Sequence, residues 1–256
     1  MPTAKLRRPG YGEKLGKTWW IVIAVLYMPA SLLVRTRYRN LQNLPQQGGA
    51  IIVTNHVSHL DPLLVAKLVL DGARRPRFLA KDTIFDVFAV GAAMRGMGHI
   101  PVKRETSEAR QSFVAAVEAL ERGGMIVLHP EGTVTRDPDG WPMNGKTGAA
   151  RLALLAPDIP VIPVAQWGVQ DQIDLYRKKF KMIPRPRHEI SVGDPIDLTA
   201  YYGRTPDAAT LRAVTEVIMR RLRADVAELR GVPVPSGPLY CWSRAEPPGT
   251  SEKKAG

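Results

Sequence analysis

A chain of 256 residues that is 45% hydrophobic can bury a sizeable α/β core, and a single cysteine, Cys241, excludes an intrachain disulfide. Its 36 Lys and Arg against 24 Asp and Glu leave a net charge of +12, which suits phosphate-bearing partners: nucleic acid, anionic lipid or phosphorylated metabolites. No RNA-binding signature, zinc finger or aromatic–basic repeat is present, so nucleic acid is set aside. Residues 1–18 scatter Lys5, Arg7, Arg8, Lys14 and Lys17 among glycine and proline. The uncharged stretch 18–34 that follows is shorter than the ~20 apolar residues of a clean transmembrane helix. Pro29 should kink it. Trp19 and Trp20 at one end and Arg35, Arg37 and Arg39 at the other are interface anchors. The stretch reads as a helix, or a kinked helical pair, embedded shallowly in one leaflet. The alternatives are a helix packed on the domain and a full span; a signal peptide is disfavoured because no small-residue cleavage site follows.

From residue 41 strands and helices alternate. The apolar run 50–54 reads as a buried strand. Asn55-His56-Val57-Ser58-His59-Leu60-Asp61-Pro62 reads as a turn into a helix over 62–70, with Asp61 as N-cap and Pro62 as first helical residue. On one continuous helix His56 and Asp61 would lie about 140° apart. With a turn between them, the carboxylate can fold back onto the imidazole. A histidine so held can act as a general base near neutral pH, its tautomer fixed and its charged form stabilised. This is the base-and-orienter part of a catalytic triad, with a substrate hydroxyl free to serve as the nucleophile. The plain alternative is a polar loop histidine beside a capping aspartate.

Further strands are expected over 76–81, 98–102, 125–128, 159–167 and 188–192. Helices are expected over 84–95, 107–122 with Ser107 as N-cap, 147–155 and 206–230. Ile84, Phe85, Val87, Phe88, Val90 and Met94 are assigned to the core, in preference to the wall of an acyl tunnel. Residues 136–145, which contain Asp137-Pro138-Asp139-Gly140, should form a loop beside the site. Residues 176–187 hold six basic residues and no acid, interleaved with apolar ones, and read either as a solvated face or as an anionic-membrane contact. The result is an α/β fold, a mainly parallel central sheet with helices on both faces, preceded by an amphipathic or membrane-embedded helical segment. Three units are expected: a membrane-associating segment over 1–40, an α/β domain over 41–232 and a flexible tail over 233–256.

His56 and Asp61, then Gly98 to Arg104, then Pro130-Glu131-Gly132-Thr133, then Val161-Ile162-Pro163-Val164 occur in that order. This series resembles the four motifs of the glycerolipid acyltransferase family, which includes the lysophosphatidate acyltransferases, over roughly residues 36 to 200. The resemblance implies transfer of a fatty acyl group from acyl-CoA or acyl-ACP to a hydroxyl of 1-acylglycerol 3-phosphate. No cofactor and no metal are expected. His56 would be the base and Asp61 its orienter; Asn55, Ser58, Lys103, Arg104, Glu131, Gly132 and Thr133 are the candidate substrate-binding residues. By the resemblance, Arg104, with Lys103 beside it, holds the acceptor phosphate, a task suited to the guanidinium fork. Glu131 would meet the glycerol hydroxyl side or order Arg104 and Lys103, and backbone donors near Gly132, or Asn55, would meet the oxyanion. Two positions depart from the family: Pro101 stands where an aromatic is usual, and Val134 where arginine often follows the third motif. The expected partners are lysophosphatidate or a related glycerophospholipid, the acyl donor and an anionic membrane surface. The expected place is the cytoplasmic face of the cell membrane.

Other readings are glycerol 3-phosphate or another lysolipid as acceptor, a metal-dependent hydrolase using His56, His59, Asp61, His99 and His129, and a non-enzymatic anionic-membrane binder. The histidine spacing does not match His-x-Glu-x-x-His or His-x-His-x-Asp-His patterns, and no Gly-x-Ser-x-Gly is present.

Overall fold

The computed structural model describes residues 15–102, 109–171, 173–174, 179–181 and 183–242. It begins with helix α1 (Lys17–Val22), a π-helical turn (Ile23–Tyr27) and helix α2 (Met28–Leu33). The wide turn sits where Pro29 lacks an N–H and its ring would crowd the carbonyl four residues back. The chain then runs β1 (Arg35–Arg39), β2 (Ala50–Thr54), α3 (Asp61–Asp71), β3 (Pro76–Lys81), α4 (Val90–Gly96), β4 (Ile100–Val102), α5 (Ala109–Glu121) and β5 (Met125–Leu128). It continues through α6 (Gly148–Leu155), β6 (Val161–Trp167), a small antiparallel pair β7 (Ile173–Asp174) and β8 (Lys179–Phe180), β9 (Arg187–Val192) and α7 (Ala208–Arg230).

Seven strands form one sheet in the order β1-β9-β6-β2-β5-β3-β4. The pairs β6–β2, β2–β5, β5–β3 and β3–β4 are parallel. β9 runs antiparallel to β6, and β1 runs parallel to β9. The carboxyl ends of β2 to β6 and the amino ends of β1 and β9 therefore lie along one edge. β2 and β5 are buried at every residue, as expected for central parallel strands covered on both sides. Ile51, Val53, Ile126 and Leu128 pack toward α5, α6 and α7, while Ile52, Met125, Val127 and Ile162 pack toward α1 and α3. α7 is closed at its start by Asp207, whose carboxylate accepts from Thr210 N, and at its end by Gly231 in the left-handed region.

Several expectations need correction. Residues 15–40 are not a separate unit: β1 belongs to the sheet, and Trp19, Val22, Ile23 and Tyr27 are buried against the α3 side of the core, while residues 1–14 lie outside the described residues. The other side of the same helices leaves Trp20, Ile21, Val25, Leu26, Met28, Leu32 and Leu33 exposed. No helix among the described residues is long and apolar enough to cross a membrane. The helix expected over 84–95 begins only at Val90. Ahead of it lie a 3-10 turn and an Ala89 at φ +64°, off the helical period, so Ile84, Val87, Phe88 and Val90 face solvent instead of the core. The tail is packed as far as it is described: Tyr240 O accepts from Asn144 N, Gly237 O from Arg223 Nη1, and Leu239 meets the core. Residues 243–256 and the expected N-cap Ser107 lie outside the described residues.

Candidate active site

The site is built where β2 runs out at the carboxyl edge. Asn55 is fully buried and spans to β6: its Oδ1 accepts from Gln166 N (2.9 Å) and its Nδ2 donates to Gln166 O (3.0 Å). Gln166 Nε2 answers by donating to Asn55 O (2.8 Å) and Thr54 Oγ1 (3.2 Å). Asn55 thus locks the root of the turn and is committed to the sheet, which corrects its expected part as an oxyanion donor.

The next residues are held from both sides. His56 N donates to Glu131 Oε1 (2.8 Å), and His56 O accepts from Thr135 N (2.7 Å). Asp61 is fully buried, and a single oxygen, Oδ2, accepts from Val57 N (2.6 Å), Ser58 N (2.7 Å) and His56 Nδ1 (2.9 Å). Asp61 is the first residue of α3 and does not cap it; its carboxylate turns back into the preceding loop. Ser58 Oγ accepts from Leu60 N and shapes the same turn. With Nδ1 bonded to the carboxylate, Nε2 is the nitrogen left to take a proton, and the His56 side chain is 15% exposed. The His129 ring centroid lies 4.4 Å from that of His56, and the Phe78 ring stacks with His129 at 6.3 Å. Burial, with His56 alongside, holds the His129 imidazole well below its ordinary range and so keeps it neutral.

Glu131 is a clamp. Its second oxygen, Oε2, accepts from Met143 N (3.1 Å), so one buried carboxyl joins the His56 turn to the far end of the 131–147 loop. Burial pushes its pKa up to about 8; the backbone donors oppose the shift, and nearby Asp61 adds to it. Gly132 sits at φ +71°, and its N–H closes a tight turn onto His129 O (2.9 Å), so the amide expected to meet an oxyanion is already bonded. Thr133 lies in the same turn-rich segment. Beyond it, Thr135 Oγ1 donates to Trp141 O, Asp137 Oδ1 accepts from the amides of residues 139 and 141, and Lys146 N donates to Pro130 O. The Arg230 guanidinium lies 4.0 Å from each of the Trp141 and Trp167 ring centroids. Lys103 and Arg104 lie outside the described residues; the strand that leads to them, β4, ends at the same edge as β2.

A family model described as Acyltransferase matches residues 35–167. The chain belongs to that family. Among curated relatives of this acyltransferase-family chain is the chloroplastic 1-acyl-sn-glycerol-3-phosphate acyltransferase BAT2 of Brassica napus, 29% identical over 57% of this chain and 42% of the plant protein. The chain thus spans less than half the length of that relative. The 1-acyl-sn-glycerol-3-phosphate acyltransferase alpha of Mus musculus is 27% identical over 80% of this chain and 71% of its own length. The crystal structure of the 1-acyl-sn-glycerophosphate (LPA) acyltransferase PlsC from Thermotoga maritima shares the fold: TM-score 0.62 at 23% identity, over 88% of this chain and 82% of that one.

Of the candidate metal ligands, His56 is bonded to Asp61 through Nδ1 and stands beside His129. His59 is exposed, and His99 lies between Trp19 and Phe78, with Nδ1 accepting from Phe78 N (3.1 Å). Among the described residues no three His, Cys, Asp or Glu side chains are grouped as a metal ion requires. Sequence reasoning missed Gln166 and Thr135. The signal for Gln166 was a lone amide in the apolar strand Val161–Trp167, since a buried amide must find partners. Thr135 donates through its backbone, which no side-chain pattern reports.

Proposed function

We propose that this chain transfers a fatty acyl group from acyl-CoA or acyl-ACP to the free hydroxyl of 1-acylglycerol 3-phosphate. The observation that carries the proposal is the 2.9 Å contact between His56 Nδ1 and a fully buried Asp61 oxygen that two backbone amides hold in place. His56 Nε2 removes the acceptor hydroxyl proton as the oxygen attacks the thioester carbonyl. The tetrahedral intermediate collapses, the C–S bond breaks, and the leaving thiolate takes the proton back from the imidazolium. Asp61 stabilises that imidazolium and keeps the reactive nitrogen turned outward. Neither a covalent enzyme intermediate nor a metal or cofactor is needed. Arg104 and Lys103 hold the acceptor phosphate.

The names of the relatives support this acceptor over glycerol 3-phosphate. The exposed apolar side of α1 and α2 supports a shallow seat in the cytoplasmic leaflet of the cell membrane, where a lysolipid acceptor resides. Incubating the full chain with acyl-CoA and a panel of acceptors, with products read by mass spectrometry, tests the reading. Phosphatidate should form fastest from lysophosphatidate. Acylation of glycerol 3-phosphate alone would replace the acceptor, and no acylation of any hydroxyl would reject the proposal.

A further inference from the structure

Ile84, Val87, Phe88 and Val90 are exposed, Phe88 at 97%, in a segment tied by close backbone contacts. Phe85 is buried beneath them, and Gly91 presses on its carbonyl, where an added Cβ would come within 1.9 Å. Phe85 N donates to Asp82 O (2.8 Å), Val90 N to Phe88 O (2.8 Å) and Gly91 N to Val87 O (2.7 Å), and Ala89, at φ +64° and ψ −46°, is the centre of a γ-turn that an alanine adopts only at a cost. The segment leaves β3 at the edge that carries His56. Other connections at that edge do the same: Leu32 and Leu33 stand exposed just before β1, and Ile183, 91% exposed, precedes β9. Arg35, Lys81, Lys181 and Arg185 are exposed along this edge, against the acids Asp82 and Asp86 of the segment itself.

We propose that residues 84–90 form a preformed apolar wedge that enters an anionic phospholipid bilayer beside the exposed side of α1 and α2, and so lays the His56 edge on the leaflet. The inference deepens the membrane-bound reading above and rests on it. A bilayer fits better than a protein partner because the apolar residues protrude from three separate connections. A protein would need a matched pocket for each, whereas a fluid acyl layer accepts any spacing. The cations along the edge and the net +12 suit anionic headgroups.

The test separates binding from turnover. Full-length His56→Ala protein, with and without the paired changes Val87→Ser and Phe88→Ser, is sedimented with vesicles of phosphatidylcholine and phosphatidylglycerol. The paired change should lower partitioning at least roughly tenfold, the fold-change that re-exposing one phenylalanine side chain implies. In the wild-type background it should leave turnover of a short-chain, water-soluble acceptor unchanged and slow turnover of a vesicle-borne one. A Phe88→Trp variant should gain emission that lipids brominated in their acyl chains quench. Unchanged partitioning, absent quenching, or a loss of self-association in place of a loss of vesicle binding would overturn the wedge. If the wild type acylates nothing, the proposed function falls, while sedimentation still decides the wedge.

Discussion

His56 draws its capacity from how little its surroundings can move. Its N–H, its C=O and its Nδ1 are each bonded to a different part of the site. Asp61→Asn can keep an oxygen on the Val57 and Ser58 amides and on the ring, but it carries no charge to stabilise the imidazolium. Acyl transfer should fall roughly 10³-fold or more with little change in melting temperature, read by steady-state rates and thermal melts. Glu131 makes a different prediction. Its folded pKa of about 8 lies above the ordinary 4.5, so the folded state keeps a proton that the unfolded chain releases. That contribution is fully present below pH 4.5 and is lost as pH rises toward 8, on the order of 1 kcal/mol per pH unit. Melts at pH 5 and pH 8.5 should therefore shift in favour of Glu131→Gln, relative to wild type, at the higher pH. At this scale the pairing of His56 with Asp61 was legible, because the spacing and Pro62 forced a turn between them. The anchoring of Asn55 and Glu131 was not, because their partners are backbone amides brought in from β6 and from the 131–147 loop.

The elements were legible where one period dominated. The all-apolar runs of β2 and β5 and the amphipathic stripe of α7 are where the sequence placed them. β1 was missed although Arg35-Thr36-Arg37-Tyr38-Arg39 alternates with period two; its arginines were read as interface anchors, and its strand partner β9 lies far along the chain. Arg39 instead pairs with Glu189, and Tyr38 Oη donates to Asp71 Oδ2 (2.7 Å). Residues 82–90 misled because composition cannot separate a buried helix from a rigid apolar turn. The loop over 131–147 depends on the end of α7 through Arg230, held between Trp141 and Trp167 with Nη1 donating to Asp139 O. Arg230→Ala should lower stability by about 1–2 kcal/mol. It should also speed hydrogen exchange at the Thr135 amide, which bonds to His56 O, and reduce kcat.

Over the whole molecule, the reversal of β1 and β9 against the parallel strands gathers the connections on either side of β2 to one edge, so the His56 turn and the apolar protrusions share it. The buried histidines give the fold its acid sensitivity. Burial lowers His99 to about 4, with Arg75 and Arg77 adding to it, and lowers His188 to about 3, both from 6.5. The folded state therefore holds them neutral while the unfolded chain binds protons below pH 6.5. Stability present above 6.5 should be lost as pH falls through 4, on the order of 1 kcal/mol per pH unit for each histidine, as seen in urea midpoints. His188→Phe should flatten that slope.

The central claim is that His56 is the base of acyl transfer, and thiol release from acyl-CoA in the presence of lysophosphatidate measures it directly. His56→Ala, with a melting temperature close to wild type, should release thiol at least about 10³-fold more slowly. Release at the wild-type rate from the folded variant would contradict the account.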